Sequence, residues 1–415
     1  MERQSSGSYL FYDNVHKDFI THVAFDFYGR RIATASSDMT VCVWDASQDS
    51  KEWTRTASWK SHFGPVWKVR WSHPEFGQIL ATCSFDKTVQ IYEEVGDQNT
   101  SRLARSGIQV GRGEASNKWV KRTTLNESPV SVTDIQFAPR SMGLLLAAGT
   151  KNGMIRIYEA PDIMNLTAWE CIHEFGAFAD ILTECEQRLQ REMSQMHIKE
   201  LGSTKDLLKD IPKEPQIPEL RISAMSWSTC RFHRQLLAAA TDSEDERGNE
   251  CRVVIFEYID EQKIFELVRE LTIRKDKPVS DISFSPSSGR TFHQFAVAML
   301  DQVQIHNITP MDSQENPDTD KAITIGTVRR KPTYIEKVNY EIKLVAGMFT
   351  KAHGAVRIWR LSWNISGTVL SLGCSDGSVH IWKRLFPNTF KQIGYRAPGV
   401  STHKKKSTSK QQPYY

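Results

Sequence analysis

One pattern of apolar and polar positions recurs six times along this chain. A short strand ends in a large ring, a turn follows, and then comes a strand of small apolar residues. A polar turn leads from there into an alternating strand that ends on a second ring. The first strands close on Val23-Ala24-Phe25, Val69-Arg70-Trp71, Ile135-Gln136-Phe137, Met225-Ser226-Trp227, Ile282-Ser283-Phe284 and Leu361-Ser362-Trp363. The second strands include Ile32-Ala33-Thr34-Ala35, Leu80-Ala81-Thr82-Cys83, Leu146-Ala147-Ala148-Gly149 and Leu237-Ala238-Ala239-Ala240, with Phe295–Met299 and Val369–Gly373 completing the set. Third strands alternate with period two, as in Val41/Val43, Val89/Ile91, Ile155/Ile157 and Val379/Ile381. Such alternation gives each strand two distinct faces. Each third strand carries one member of a ring column: Trp44, Tyr92, Tyr158, Phe256, His306 and Trp382.

Between the second and third strands stand Ser37-Asp38-Met39-Thr40, Phe85-Asp86-Lys87-Thr88, Lys151-Asn152-Gly153 and Ser375-Asp376-Gly377-Ser378, with the Asp, Asn and Gly that tight turns demand. Six such units in series predict an all-β, six-bladed β-propeller. Small residues in the second strand suit the crowded zone where sheets converge on the axis, and the ring column fills space between neighbouring sheets. In WD repeats, the turn Asp joins an upstream His, a strand Ser or Thr and the terminal Trp. Blade one offers His16, Asp38, Thr34 or Ser36, and Trp44; blade two offers His62, Asp86, Thr82 or Ser84, and Tyr92; blade six offers His353, Asp376 and Trp382. His–Asp pairs repeated at three equivalent turns argue for architecture, since an active site is rarely triplicated. His353 stands one residue farther from Trp359 than His62 does from Trp67, which weakens the sixth-blade pair.

Six blades without a seventh leave the ring open, and unpaired backbone at blades one and six would invite another chain. The strand candidate Tyr9-Leu10-Phe11-Tyr12 either completes an outer edge or forms a frayed arm. Residues 1–15 are therefore read as an arm or edge strand, 16–395 as the propeller, and 396–415 as a basic disordered tail containing Lys404-Lys405-Lys406. Two insertions interrupt the repeat. Between blades three and four, in residues 176–220, Phe178, Ile181, Leu182, Cys185, Leu189, Met193 and Met196 recur at steps of three and four and predict an amphipathic helix. Lying back on the propeller, docking a partner and forming an arm are all open to it. Residues 310–327 read as a polar loop.

Composition narrows the classes. Lys and Arg number 53 against 49 Asp and Glu, and a net charge of +4 over 415 residues gives no reason to expect direct nucleic-acid binding. Seven cysteines without a C-x-x-C pair, several inside apolar strands, predict buried free thiols and a reducing compartment. The N-terminus lacks the charge and apolar pattern of a signal peptide, and no stretch approaches the ~18 apolar residues of a membrane helix. Gly107, Gly111 and Gly113 lack the following helix of a phosphate cradle, and Arg329-Arg330-Lys331 reads as a solvated basic run. Lone histidines such as His173, His197 and His293 make no metal spacing. Neither an enzyme, a cofactor nor a small-molecule substrate is expected.

The residues also resemble a particular family. Phe25-Asp26-Phe27-Tyr28-Gly29-Arg30-Arg31 looks like the first blade of the Seh-type WD-repeat nucleoporins, siblings of the SEC-thirteen propeller of the COPII coat. The run from Trp59 to Glu94 fits both siblings. Trp119–Leu125, Ser131–Asp134, Tyr158–Leu166 and the last blade, Val356–Lys383, favour the nucleoporin. About three quarters of the chain is covered, with blades four and five matching more weakly. The resemblance implies an open propeller completed by a blade from a helical scaffold nucleoporin, in the Y-shaped outer-ring complex at the nuclear envelope. It implies roles in pore assembly, mRNA export and protein transport. A second role, in the GATOR/SEA complex that signals nutrient status to TOR at lysosome or vacuole membranes, is implied too. Tyr9, Leu10, Phe11, Val379 and Ile381 are the expected partner-facing positions. The alternatives are a COPII-like coat propeller and a ubiquitin-ligase substrate receptor. The Trp-Asp-x-Arg run typical of such receptors is missing, since Trp44-Asp45 continues as Ala46-Ser47.

Overall fold

The structure is a computed structural model that describes residues 15–47, 53–95, 119–178, 220–230, 232–242, 252–260, 263–272, 278–286, 289–311, 338–349, 356–385 and 389–396. Those residues form six four-stranded sheets, each built from four consecutive antiparallel strands. Blade one holds β1 (Ile20–Phe25), β2 (Arg31–Ser36), β3 (Thr40–Ala46) and β4 (Trp53–Lys60). Blade two holds β5 (Val66–Trp71), β6 (Ile79–Ser84), β7 (Val89–Glu94) and β8 (Trp119–Leu125). Blade three holds β9 (Val132–Phe137), β10 (Leu145–Thr150), β11 (Met154–Glu159) and β12 (Glu170–Gly176). Blade four holds β13 (Ile222–Trp227), β14 (Leu236–Thr241), β15 (Arg252–Ile259) and β16 (Ile264–Thr272). Blade five holds β17 (Val279–Phe284), β18 (His293–Met299), β19 (Gln302–Met311) and β20 (Asn339–Phe349). Blade six holds β21 (Ile358–Trp363), β22 (Val369–Cys374), β23 (Val379–Leu385) and β24 (Thr389–Arg396).

The strand sequences explain the layering. Second strands β6, β10, β14 and β18 are buried at every position and carry small or apolar side chains, apart from His293 and Gln294 at the start of β18. The turn before the third strand needs a left-handed residue, and Gly153 and Gly377 supply it with φ of 79° each. Blades one and two place Met39 and Lys87 there, at φ 71°. The preceding Asp compensates, since Asp38 and Asp86 accept the backbone N–H two residues on, from Thr40 and Thr88.

Five apolar clusters fill five junctions between successive blades, from one–two round to five–six. Innermost strands pack in the same succession: β1 on β5, β5 on β9, β9 on β13, β13 on β17 and β17 on β21. β21 and β1 do not pack in this way. At the five–six junction, Gly367 (φ 61°) receives hydrogen bonds on its carbonyl from Arg290 Nη2 (2.7 Å) and Ser285 Oγ (3.4 Å). A Cβ there would collide with both of those side chains and with the Pro286 carbonyl. Gly367→Ala is therefore expected to destabilise the chain by about 2 kcal/mol, read as a lower urea midpoint with unchanged slope.

Three readings of the sequence are corrected. Phe178, assigned to the inserted helix, is a core residue packed with Leu220 at the three–four junction, because Ala177 N–H continues the pairing of β12 by donating to Gly153 O. Residues 179–219 lie outside the described residues, and with them the predicted helix. Pro310 and Met311, read as loop, belong to β19 and pair with Tyr340 and Asn339. Finally, the blades stack face on face, so the opening between blades six and one presents the faces of two sheets. It does not present the unpaired backbone edges expected from sequence.

Candidate functional site

The repeat residues assemble as their spacing predicts in blades one and two. In blade one, the Trp44 indole N–H donates to Thr34 Oγ1 (3.3 Å), whose hydroxyl meets His16 Nε2 at 2.8 Å. His16 Nδ1 lies 2.9 Å from Thr40 Oγ1 and 3.4 Å from Asp38 Oδ2. Asp38 also accepts from the Lys17 and Thr40 amides. In blade two, His62 Nδ1 donates to Asp86 (3.0 Å) and Nε2 accepts from Thr82 Oγ1 (2.8 Å). Tyr92, standing where blade one has Trp, reaches Ser61 Oγ at 3.0 Å instead. Both histidines are enclosed and tied at both ring nitrogens, so each acts as a bracket between turn and strand and presents no nucleophile or substrate cleft. Burial would raise the Asp86 carboxyl, but hydrogen bonds from His62, Thr88 and the Phe63 amide outweigh it and hold it well below the carboxylate range.

The sixth blade lacks this bracket among the described residues. Its second strand carries Leu372 where blades one and two carry Thr34 and Thr82, so Trp382 has no hydroxyl to reach. The Trp382 indole nitrogen is buried without a hydrogen-bond partner among the described residues. Among the described residues Asp376 accepts only from its own turn, at Ser378 N–H (2.9 Å). His353 lies outside the described residues, as do Tyr9, Leu10 and Phe11.

A set of struts between blades was not evident from the sequence. Trp71, Trp227 and Trp363 each donate an indole N–H to a carbonyl of the preceding blade's first strand, at Ala24, Gln136 and Ser283. Asp134 and Asp281 reach forward, accepting the amides of Met225 and Leu361, each at 2.8 Å. The one mark they leave in the sequence is the alternation of Trp with Phe at the ends of the first strands.

Blades three and five end their first strands in Phe137 and Phe284, which pack into the junction clusters without such a bond, and the equivalent residue of blade one defines the site. Phe25 occupies the strut position of blade one but has no preceding blade, and it is 56% exposed beside Val23 at 40%. Ile32, Cys42 and Trp44 behind it are covered by Val15 and Trp53, the latter edge-on to Phe25. Across the opening, β22 turns Leu370, Leu372 and Cys374 toward blade five, so the partners Ser371 and Gly373 face outward. Ile381 pairs with Ser371 and Val379 with Gly373, which puts both on the same outward wall, half-buried. One wall is thus aromatic and apolar, the other shallow and lined by small and β-branched residues.

Other chemistry is sparse. Cys42, Cys83, Cys171, Cys230 and Cys374 are free thiols, and burial pushes the Cys83 thiol upward. Among the described residues no group of His, Cys, Asp and Glu is arranged to hold a metal ion, and no helix is long and apolar enough to cross a membrane. His306, the fifth blade's ring-column residue, stacks on Phe295 (5.2 Å between centroids) and burial lowers it to about 4. Its folded value is depressed, so its contribution is present above the unfolded value near 6.5 and is lost as pH falls toward 4. His306→Phe is expected to flatten the fall of melting temperature over that window, measured by scanning fluorimetry.

Known proteins share the repeat sequence. The family pattern described as WD domain, G-beta repeat matches residues 8–45, 53–93 and 346–383, in blades one, two and six. Nucleoporin SEH1 of Homo sapiens is 38% identical over 381 residues, covering 91% of this chain and 85% of its own. Nucleoporin SEH1 of Bos taurus matches at the same identity and coverage, and that of Danio rerio is 36% identical over 382 residues.

Proposed function

The chain belongs to the SEH1 family of WD-repeat nucleoporins, and from that premise we propose that it is a non-catalytic scaffold subunit of the Y-shaped outer-ring complex of the nuclear pore. In this reading a helical scaffold nucleoporin inserts a blade into the opening between blades six and one. The observation that carries it is the bare strut position. Phe25 and Val23 stand exposed on one wall, while Val379 and Ile381 stand half-covered on the other. An inserted sheet would bury both walls as the existing junctions bury theirs, at about 25 cal/mol for each Å² of apolar surface. Through that assembly the chain would support pore assembly, mRNA export and protein transport. GATOR/SEA nutrient signalling would use the same opening.

A fluorescently tagged chain tests the reading against the coat alternative. A continuous nuclear rim is the expected pattern, and scattered exit-site puncta without a rim would overturn it in favour of a coat subunit.

A further inference from the structure

A cavity of 420 Å³ sits at the end of the axis where the innermost strands begin, and all six blades line it. Its walls carry four cations, Lys68, Arg221, Arg357 and Arg360, against one carboxylate, Asp242. Arg221 already pairs with Asp242. Arg357 lies over the Trp359 ring at 4.2 Å and touches Ser280 Oγ at 3.4 Å, while Arg360 donates to the Trp359 carbonyl. Neither guanidinium has an ion-pair partner among the described residues.

Two wall residues hold buried donors that make no hydrogen bond among the described residues. Lys68 is 3% exposed and ion-pairs with Asp134, its Nζ 3.4 Å from Oδ1, yet that Nζ makes no hydrogen bond among the described residues. The Trp67 indole nitrogen likewise has no hydrogen-bond partner among the described residues. The carboxylates nearby are already engaged. Asp134 accepts the Ile135 and Met225 amides, and Asp281 accepts the Ile282 and Leu361 amides. The local field is positive. Burial first, then Arg70, Lys68 and Arg360, hold the neighbouring His22 well below its ordinary value. Leaving a buried donor without an acceptor is unfavourable, so a site of unbonded donors and cations suits a group that only accepts.

We propose that this axial cavity binds a compact polyanion carrying phosphoryl or carboxylate groups, held by Lys68, Trp67, Arg357 and Arg360. Its volume is that of a small-ligand pocket, with room for a metabolite-sized anion. The site is independent of the opening between blades, and its occupancy does not rest on the scaffold reading.

Isothermal titration of the full chain at low salt, with pyrophosphate in one arm and citrate in the other, tests this. Saturable one-to-one binding of pyrophosphate is expected, weakened at least tenfold by Lys68→Gln and by Arg360→Gln. Lys391→Gln, on the exposed outer strand, should leave it unchanged. Citrate binding with the same dependence would widen the class to carboxylates, and pyrophosphate alone would restrict it to phosphoryl groups. Arg360 is partly exposed, so its variant keeps the test decisive if Lys68→Gln fails to fold. Absence of saturable binding in both arms, or binding that folded Arg360→Gln does not weaken, overturns the proposal.

Discussion

Ile381→Asp is expected to weaken association with the helical nucleoporin at least 100-fold while leaving the free chain folded. Ile381 faces away from blade five, beside Ser371 and Gly394, and is half-buried in the free propeller. A carboxylate there is solvated as long as the opening stands empty. Insertion of a blade would strip its water and leave it without a counter-charge. A 100-fold loss corresponds to about 2.7 kcal/mol, well within the cost of burying an unpaired charge. Leu372→Asp is the contrasting variant. One position away in the ladder, Leu372 turns inward to the five–six core at 1% exposure, and its replacement should unfold the chain. Surface plasmon resonance for affinity, with circular dichroism for folding, separates the two outcomes.

The second large effect is expected at Asp86. Its two oxygens collect four donors, from His62 Nδ1, the Phe63 and Thr88 amides and the Thr88 hydroxyl. Asp86→Ala removes all of them at once and leaves His62, 1% exposed, without its carboxylate. A loss of about 3 kcal/mol follows from breaking a charge-assisted buried network, measured by urea unfolding. Asp376→Ala, at the equivalent turn of blade six, should unfold like the parent because among the described residues Asp376 holds only Ser378. The pH dependence has a fixed sign. The Asp86 carboxyl is depressed in the folded chain, so its stabilisation is complete above the ordinary carboxylate value near 3.9 and is lost as pH falls below it. In the Asp86→Ala variant that acid sensitivity should shrink.

Much of this was legible because period-two alternation and small-residue strands are local signals. The first-strand endings from Phe25 to Trp363 and the ring column from Trp44 to Trp382 fall on the first and third strands of six sheets. The brackets of His16 and His62 join the residue types that the WD pattern names, a His, a turn Asp and a second-strand Thr. Relations between blades were not. Whether Trp71 reaches Ala24, or Asp134 reaches Met225, depends on a bulge and on the stacking angle of two sheets, and neither leaves a mark in one strand's sequence. The same limit explains the misread opening. A strand pattern shows which residues alternate, but face-on stacking decides that Val379 and Ile381 form a wall and not an edge. Phe178 failed for a different reason. Its three- and four-residue spacing to Ile181 and Leu182 mimics a helix, while the continuation of β12 through Ala177 places it in the core.

The central claim, an open six-bladed ring completed by a partner's blade, is tested most directly by mixing. Full-length chain and the helical scaffold nucleoporin, combined at micromolar concentration, are run on gel filtration with light scattering. The account predicts a single one-to-one complex that Ile381→Asp abolishes. Separate elution of the two parent proteins would contradict it.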